Sequence, residues 1–235
     1  MTSPAIMADL ETWGTAAGCD LRSIGGCLFD PVAGTVEASD YYFPGEIVQS
    51  CSHPHSFYRA TDNPRGYWGS GSANMRFFTD DRPWCRRKYP LTRDPETVAW
   101  WSEQSAEAQA AFEEPVDLAA ALRAFGDWLG EIGGYAYEAG NPKFRAPLRF
   151  TLWAHGPHFD VSILEAAYAA CNLPTPWHHR APRDTRTCFD LAGIDDHSAW
   201  PEAHPGPMGV PHHALDDAIC QARAVCAAYS RMNPA

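Results

Sequence analysis

Near its start the chain carries an apolar run, Ala5-Ile6-Met7-Ala8-Asp9-Leu10-Glu11, that ends in two acids separated by one residue. Small and apolar residues followed by alternation predict a β-strand, in which positions i and i+2 share a face. Asp9 and Glu11 then project side by side. Paired carboxylates suit a hard divalent cation, because Mg²⁺ takes oxygen ligands and keeps waters that a substrate can displace. Taken alone, an exposed acidic strand edge is the commoner explanation of such a pair, so the rest of the chain has to decide.

The next strand is predicted over Ile24-Gly25-Gly26-Cys27-Leu28-Phe29-Asp30, which makes a hairpin with the first and ends at Pro31 and Gly34. From Asp40 to about Trp84 the sequence is rich in Gly, Pro, Ser, Tyr and His without helical period. We expect an insertion or substrate loop at about 40–84, with a strand only over Met75 to Thr79. Asp94-Pro95-Glu96-Thr97 has the cap, first-turn proline and acid of a helix start, and the apolar stripe from Val98 to Phe112 predicts one helix there. A second helix is expected from Asp117 to Ile132, with Leu118, Leu122, Phe125 and Leu129 on one face and Gly133-Gly134 as its stop. Arg149 to Ala154 reads as a core strand leading through His155-Gly156-Pro157 into a helix from about His158 to Cys171. Two more helices are expected, Asp184 to Ile194 and His212 to Met232. The whole predicts a single α/β domain spanning 1–235.

Two further acids then fall into place. Asp160 lies on the first turn of a helix that follows a core strand, where an acid also serves the helix dipole. Pro211-His212-His213-Ala214-Leu215-Asp216-Asp217 opens the last helix, so His212 and Asp217 are about one turn apart. Each residue alone could simply cap or charge a first turn. All of them together, in this order, indicate a metal-ligating cluster with a base beside it.

Composition narrows the alternatives. With 45% hydrophobic and 20% charged residues the chain resembles ordinary globular domains, and no apolar run approaches membrane-helix length. The N-terminus has no basic start leading into an apolar stretch, so the chain is read as cytoplasmic. The eight cysteines are scattered without any C-x-x-C, and neither His53/His55 nor His178/His179 has a cysteine at zinc-ligand spacing. Reduced core thiols are expected, not a disulfide framework or a structural zinc. The net charge of -11 argues against a protein that coats nucleic acid, but not against an enzyme whose clustered carboxylates bind cations where a phosphodiester is cut.

At this point the sequence resembles a known family. Asp9-Leu10-Glu11-Thr12, Asp160 and His212-x-Ala214-x-x-Asp217 match the three motifs of the DnaQ-like, or DEDDh, 3′-5′ exonucleases of ribonuclease H-like fold. Pro95 to Trp101, Gly156-x-x-Phe159-Asp160, Pro176-Trp177, Arg183 to Thr187 and the stretch from His212 to Gln221 are similar to the branch containing mycobacterial RNase AS and phage DexA exonucleases. The likeness runs over about 7–35 and 90–227. It departs at 40–84, which aligns to no family feature, and at His213, where the family pattern suggests Asn.

The resemblance implies a mixed β-sheet flanked by helices and a two-metal mechanism using Mg²⁺ or Mn²⁺. Asp9 would bridge the ions, Glu11 and Asp217 complete one, Asp160 reach the other through water, and His212 take the proton. It also implies release of nucleoside 5′-monophosphates from single-stranded 3′ ends, with RNA favoured over DNA by the branch likeness, and it leaves a homodimer open. The alternatives are a single-strand exodeoxyribonuclease and a non-catalytic nucleic-acid-binding module, the latter expected to lack at least one acid. Thr12 and Trp13 stand where the family contacts the terminal nucleotide. Segment 59–93 holds eight basic residues against three acids, and Arg86, Arg87 and Lys88 are candidate phosphate contacts beside Trp84 and Tyr89. Arg183 and Asp184 are expected to pair structurally at a helix start.

Overall fold

The computed structural model describes residues 3–36, 50–53, 56–62, 91–112, 115–141, 143–197 and 209–234. The first strand, β1 (Ala5–Thr12), is buried along nearly its whole length. Burial of successive residues means that the strand is covered on both faces, and its alternation sorts its side chains between two cores. Ile6, Ala8 and Leu10 pack in one core with Leu122, Phe125, Leu164 and Tyr168. Ala5 and Met7 pack in the other with Phe189, Leu215, Ile219 and Val225. Asp9 and Glu11 continue this second face.

β2 (Leu21–Asp30) pairs antiparallel with β1, the predicted hairpin, and carries the short β3 (Thr35–Val36). Beyond β2 lie β5 (Ser56–Asp62) and β4 (Ser50–His53), both antiparallel. These two strands fall within 40–84, where a strand was expected only over 75–79. Phe57 and Tyr58 are adjacent and fully buried, one in each core, so no apolar/polar alternation marked the strand. The Thr61 hydroxyl ties it to the Leu21 carbonyl at 2.6 Å. The strand expected over 75–79 lies outside the described residues.

The following segment forms two helices where one was expected: α1 (Pro95–Ser102), capped by Asp94, and α2 (Ala106–Ala110). Ser105 causes the break, because its hydroxyl accepts from the Ala108 N–H and so opens a new helix. After β6 (Val116–Asp117), α3 (Leu118–Gly133) starts on the Asp117 cap and stops at Gly134, whose φ of 66° suits glycine. β7 (Thr151–Ala154) runs parallel to β1, and α4 (Asp160–Ala170) follows it. β8 (Pro182–Asp184) pairs parallel with β7, α5 (Thr185–Leu191) comes next, and the long α6 (Ala214–Met232) ends the fold. The sheet order is β4-β5-β2-β1-β7-β8. α3 and α4 cover one face and α5 and α6 the other, which is the expected mixed sheet flanked by helices.

One glycine fixes how closely α6 approaches. Gly25 lies opposite Asp9 in the β1–β2 ladder, and a Cβ there would stand 2.2 Å from the Ala214 carbonyl carbon. Only a bare Cα lets the start of α6 rest directly on the strand beside the two acids.

Candidate active site

Three elements deliver the acids. Asp9 and Glu11 come from the end of β1, Asp160 from the first residue of α4 and Asp217 from the first turn of α6. Glu11 and Asp160 are 7% and 3% exposed, which is exceptional for carboxyl groups without a paired cation. Ligand atoms of Glu11, His212 and Asp217 all lie within 4.8 Å of one another. A cleft of about 630 Å³ opens onto this group, and Asp9, Glu11, Thr12, Trp100, His212 and Asp217 are among the residues lining it.

The electrostatics follow from crowding. Burial first, then the Asp160 charge, holds Asp9 well above the usual carboxylate range. Burial followed by Asp9 and Asp217 raises Glu11, and burial followed by Asp9 and Asp216 raises Asp217. Burial pushes Asp160 up to about 8 even though the Arg186 guanidinium opposes it. Like charges in low dielectric resist simultaneous ionisation unless cations join them.

His212 sits just before α6 with φ of 62°, a left-handed conformation unusual for a residue with a side chain. Its ring meets the edges or faces of Trp100 and Trp101 at 4.9 and 5.9 Å between centroids. Burial lowers its pKa, so the imidazole is neutral and able to accept a proton at pH 7. His213, one residue on, caps the helix and is 1% exposed. Its ring stacks on Tyr58 at 4.1 Å, and Nδ1 accepts from the Asp216 N–H as an Asn carbonyl would. The helix expected from His212 therefore begins at Ala214.

Thr12 lines the cleft, its hydroxyl donating to the Gly14 carbonyl and its own carbonyl accepting from the Trp101 indole. Trp13 is half-buried, and the guanidinium groups of Arg22 and Arg93 lie 4.4 and 4.5 Å from its ring. Trp100, 42% exposed, is the aromatic side chain that the cleft presents to solvent most openly among its described lining residues. Arg86, Arg87 and Lys88 lie outside the described residues. Arg183 and Asp184 do not pair: Asp184 caps α5 by accepting from the Arg186 N–H, while Arg183 donates to the carbonyls of Arg180, Ala181 and Pro182.

Sequence reasoning gave no role to Gln221 or Arg22. Gln221 donates from Nε2 to Asp9 Oδ1 at 2.8 Å, and its position one turn after Asp217 was the available signal. Arg22 is the extra residue on β2 where the register shifts between Glu11 and Thr12, and the bulge aims its side chain among Trp13, Trp101 and Phe112 near Glu11. No signal in the sequence marks that bulge.

The mixed sheet flanked by helices is of ribonuclease H-like fold, and three aspartates, a glutamate and a histidine lie toward the end of its central strand. Among solved structures, cell-death related nuclease 4 (CRN-4) matches with a TM-score of 0.56 and 14% identity over 96% of this chain. The chain spans 63% of CRN-4's length. The nuclease domain of 3′hExo, a DEDDh family member bound to rAMP, matches with a TM-score of 0.53 and 12% identity, covering 96% of this chain and 91% of that one. No curated protein sequence gives a significant match. The chain belongs to the Rv2179c-like 3′-5′ exoribonuclease domain family, whose model matches residues 4–229.

Proposed function

We propose that the enzyme removes nucleoside 5′-monophosphates one at a time from single-stranded RNA 3′ ends, using two divalent ions held by Asp9, Glu11, Asp160 and Asp217. The observation that supports this reading is the approach of Glu11, His212 and Asp217 to within 4.8 Å of one another, with Asp9 on the same cleft, the buried Asp160 charge felt by Asp9, and a neutral imidazole beside them. Their donor set fits Mg²⁺ or Mn²⁺, since it offers oxygen ligands whose crowded negative charge calls for cations. Bound ions would activate the attacking water and stabilise the leaving 3′ oxygen.

The chain's own residues do the rest. Asp9 would hold both ions, Glu11 and Asp217 would complete the set of one, and Asp160 would serve the other. His212 takes the proton from the attacking water, its ring held edge-on by Trp100 and Trp101. Thr12 borders the terminal nucleotide, and Trp13, packed with Arg22 and Arg93, stands beside it. Arg86, Arg87 and Lys88 follow the phosphates upstream. A cytoplasmic location belongs to this reading; among the described residues no helix is long and apolar enough to cross a membrane.

The deciding experiment gives 5′-labelled RNA and DNA oligomers of one sequence to the wild type and to Asp217→Ala with Mn²⁺. A ladder shortening by single nucleotides on RNA, lost in Asp217→Ala without loss of thermal stability, is expected. Faster digestion of DNA, or Asp217→Ala activity within tenfold of wild type, would overturn the proposal.

A further inference from the structure

We infer that Gln221 is a positioning residue, a neutral hydrogen-bond donor that sets the orientation of the Asp9 carboxylate so that it can hold metal. The inference rests on the assignment of Asp9 as a metal ligand made above. Gln221 lies one turn along α6 from Asp217, on the face turned to the sheet, and its amide spans to β1 to meet Asp9 Oδ1 at 2.8 Å. It is absent from the cleft wall, so it acts on the site from behind.

Two features separate this contact from ordinary packing. The apolar neighbours along that face, Ala218, Ala222 and Val225, fill space without polar atoms, and an apolar residue at 221 would do the same. Gln221 instead leaves its own Oε1 buried with no hydrogen-bond partner among the described residues. A buried acceptor without a donor is unfavourable, so the amide gains nothing for the fold that a methionine would not supply at less cost. The amide turns its NH₂ toward Asp9, the orientation that an ionised, cation-holding carboxylate requires because it only accepts.

The neutrality of the donor matters as much. A lysine or arginine at 221 would bind Asp9 more strongly, but its positive charge would compete with any cation for the same carboxylate. An amide fixes the group while leaving its charge available. With one acceptor site of Oδ1 engaged by Gln221, Oδ2 and the remaining lone pair of Oδ1 are left to accept a cation at the cleft that Asp9 lines. Hydrogen bonds of this kind to metal-binding carboxylates alter affinity by about 10- to 100-fold when removed.

The test measures Mn²⁺ binding to the RNA-free protein by titration calorimetry, together with steady-state hydrolysis, for wild type, Asp9→Ala, Gln221→Met, Gln221→Ser and Gln221→Lys. Wild type binds Mn²⁺ and Asp9→Ala loses that binding; if it does not, the metal assignment fails and this inference falls with it. Given that result, Gln221→Met and Gln221→Ser should each bind Mn²⁺ about 10- to 100-fold more weakly. Their kcat should fall at limiting Mn²⁺ and recover at saturating Mn²⁺, while KM for RNA stays within threefold and metal-free melting temperature is kept. Gln221→Lys should also bind weakly, but from charge, so added salt should partly restore it. If Gln221→Met or Gln221→Ser, folded as judged by melting, binds Mn²⁺ within twofold of wild type, Gln221 is a packing residue and the inference is wrong.

Discussion

Asp160 shows how a buried acid ties stability to pH. Its carboxyl is pushed up to about 8 in the folded protein against an unfolded value of 3.8, so between those values the folded state holds a proton that the unfolded state has lost. The folded state binding more protons means that stability falls as pH rises through this window. The metal-free protein is therefore expected to melt at lower temperature at pH 8 than at pH 5, and Asp160→Asn should flatten that slope. Mg²⁺ or Mn²⁺ should raise the melting temperature more at pH 8, where the carboxylates are available. Melting curves in chelator at several pH values check this, and equal slopes for wild type and Asp160→Asn would refute it. His212 carries the opposite dependence. Burial holds its pKa below the ordinary imidazole value, so the rate should rise with pH and level off below neutrality. His212→Ala is expected to lower kcat by at least about 100-fold with little change in KM, as single-turnover kinetics would report.

Elements are placed by close approaches that leave no slack. The start of α6 touches β2 at Gly25, so Gly25→Ala puts a methyl 2.2 Å from backbone that cannot yield as a flexible side chain would. Overpacking of this kind costs about 1–3 kcal/mol, and here the strain falls on the helix that carries Asp217 and Gln221. Gly26 is a built-in comparison, because a Cβ there meets the Trp128 ring at 3.1 Å in the opposite core and the Met7 carbonyl oxygen at 3.3 Å, and nothing of α6. Gly25→Ala should lose both melting temperature and hydrolysis, while Gly26→Ala should affect stability alone. Assays of both variants at matched folded fraction distinguish the two, and equal loss of activity would show that α6 is not held by this contact.

Over the whole molecule, an acidic chain has to hold an anionic strand, and the basic cluster of segment 59–93 is the candidate for that work. Replacing Arg86, Arg87 and Lys88 by Gln should weaken RNA binding across sequences. It should also lower the slope of log affinity against log salt by roughly 0.7 per lost phosphate contact, with turnover at saturation barely changed. An unaltered slope on a long oligomer would assign the segment another role. Strand alternation and helix starts, being local properties, put Asp9 and Glu11 on one strand face, Asp160 on the first turn of α4 and Asp217 on the first turn of α6, while the expectation that they act together with His212 came from the likeness of the three motifs to a family. β1, β2, α3, α4 and α6 were legible from such local properties, to within a few residues. β5 was not, because Phe57 and Tyr58 are buried in opposite cores and erase the polar alternation that marks a half-exposed strand. The break between α1 and α2 was overridden by an apolar stripe that continued through Ser105. Gln221 and Arg22 escaped because their partners are brought to them by the fold alone: Gln221 meets an acid 212 positions away.

The left-handed backbone at His212 sets two demands against each other. A side chain held in that conformation costs about 1–2 kcal/mol, which glycine would not incur. Selection for a sturdier protein would thus favour glycine at 212, and selection for turnover keeps histidine. His212→Gly should melt higher than His212→Ala while both remain inert, so that position records a trade between durability and catalysis made in favour of catalysis.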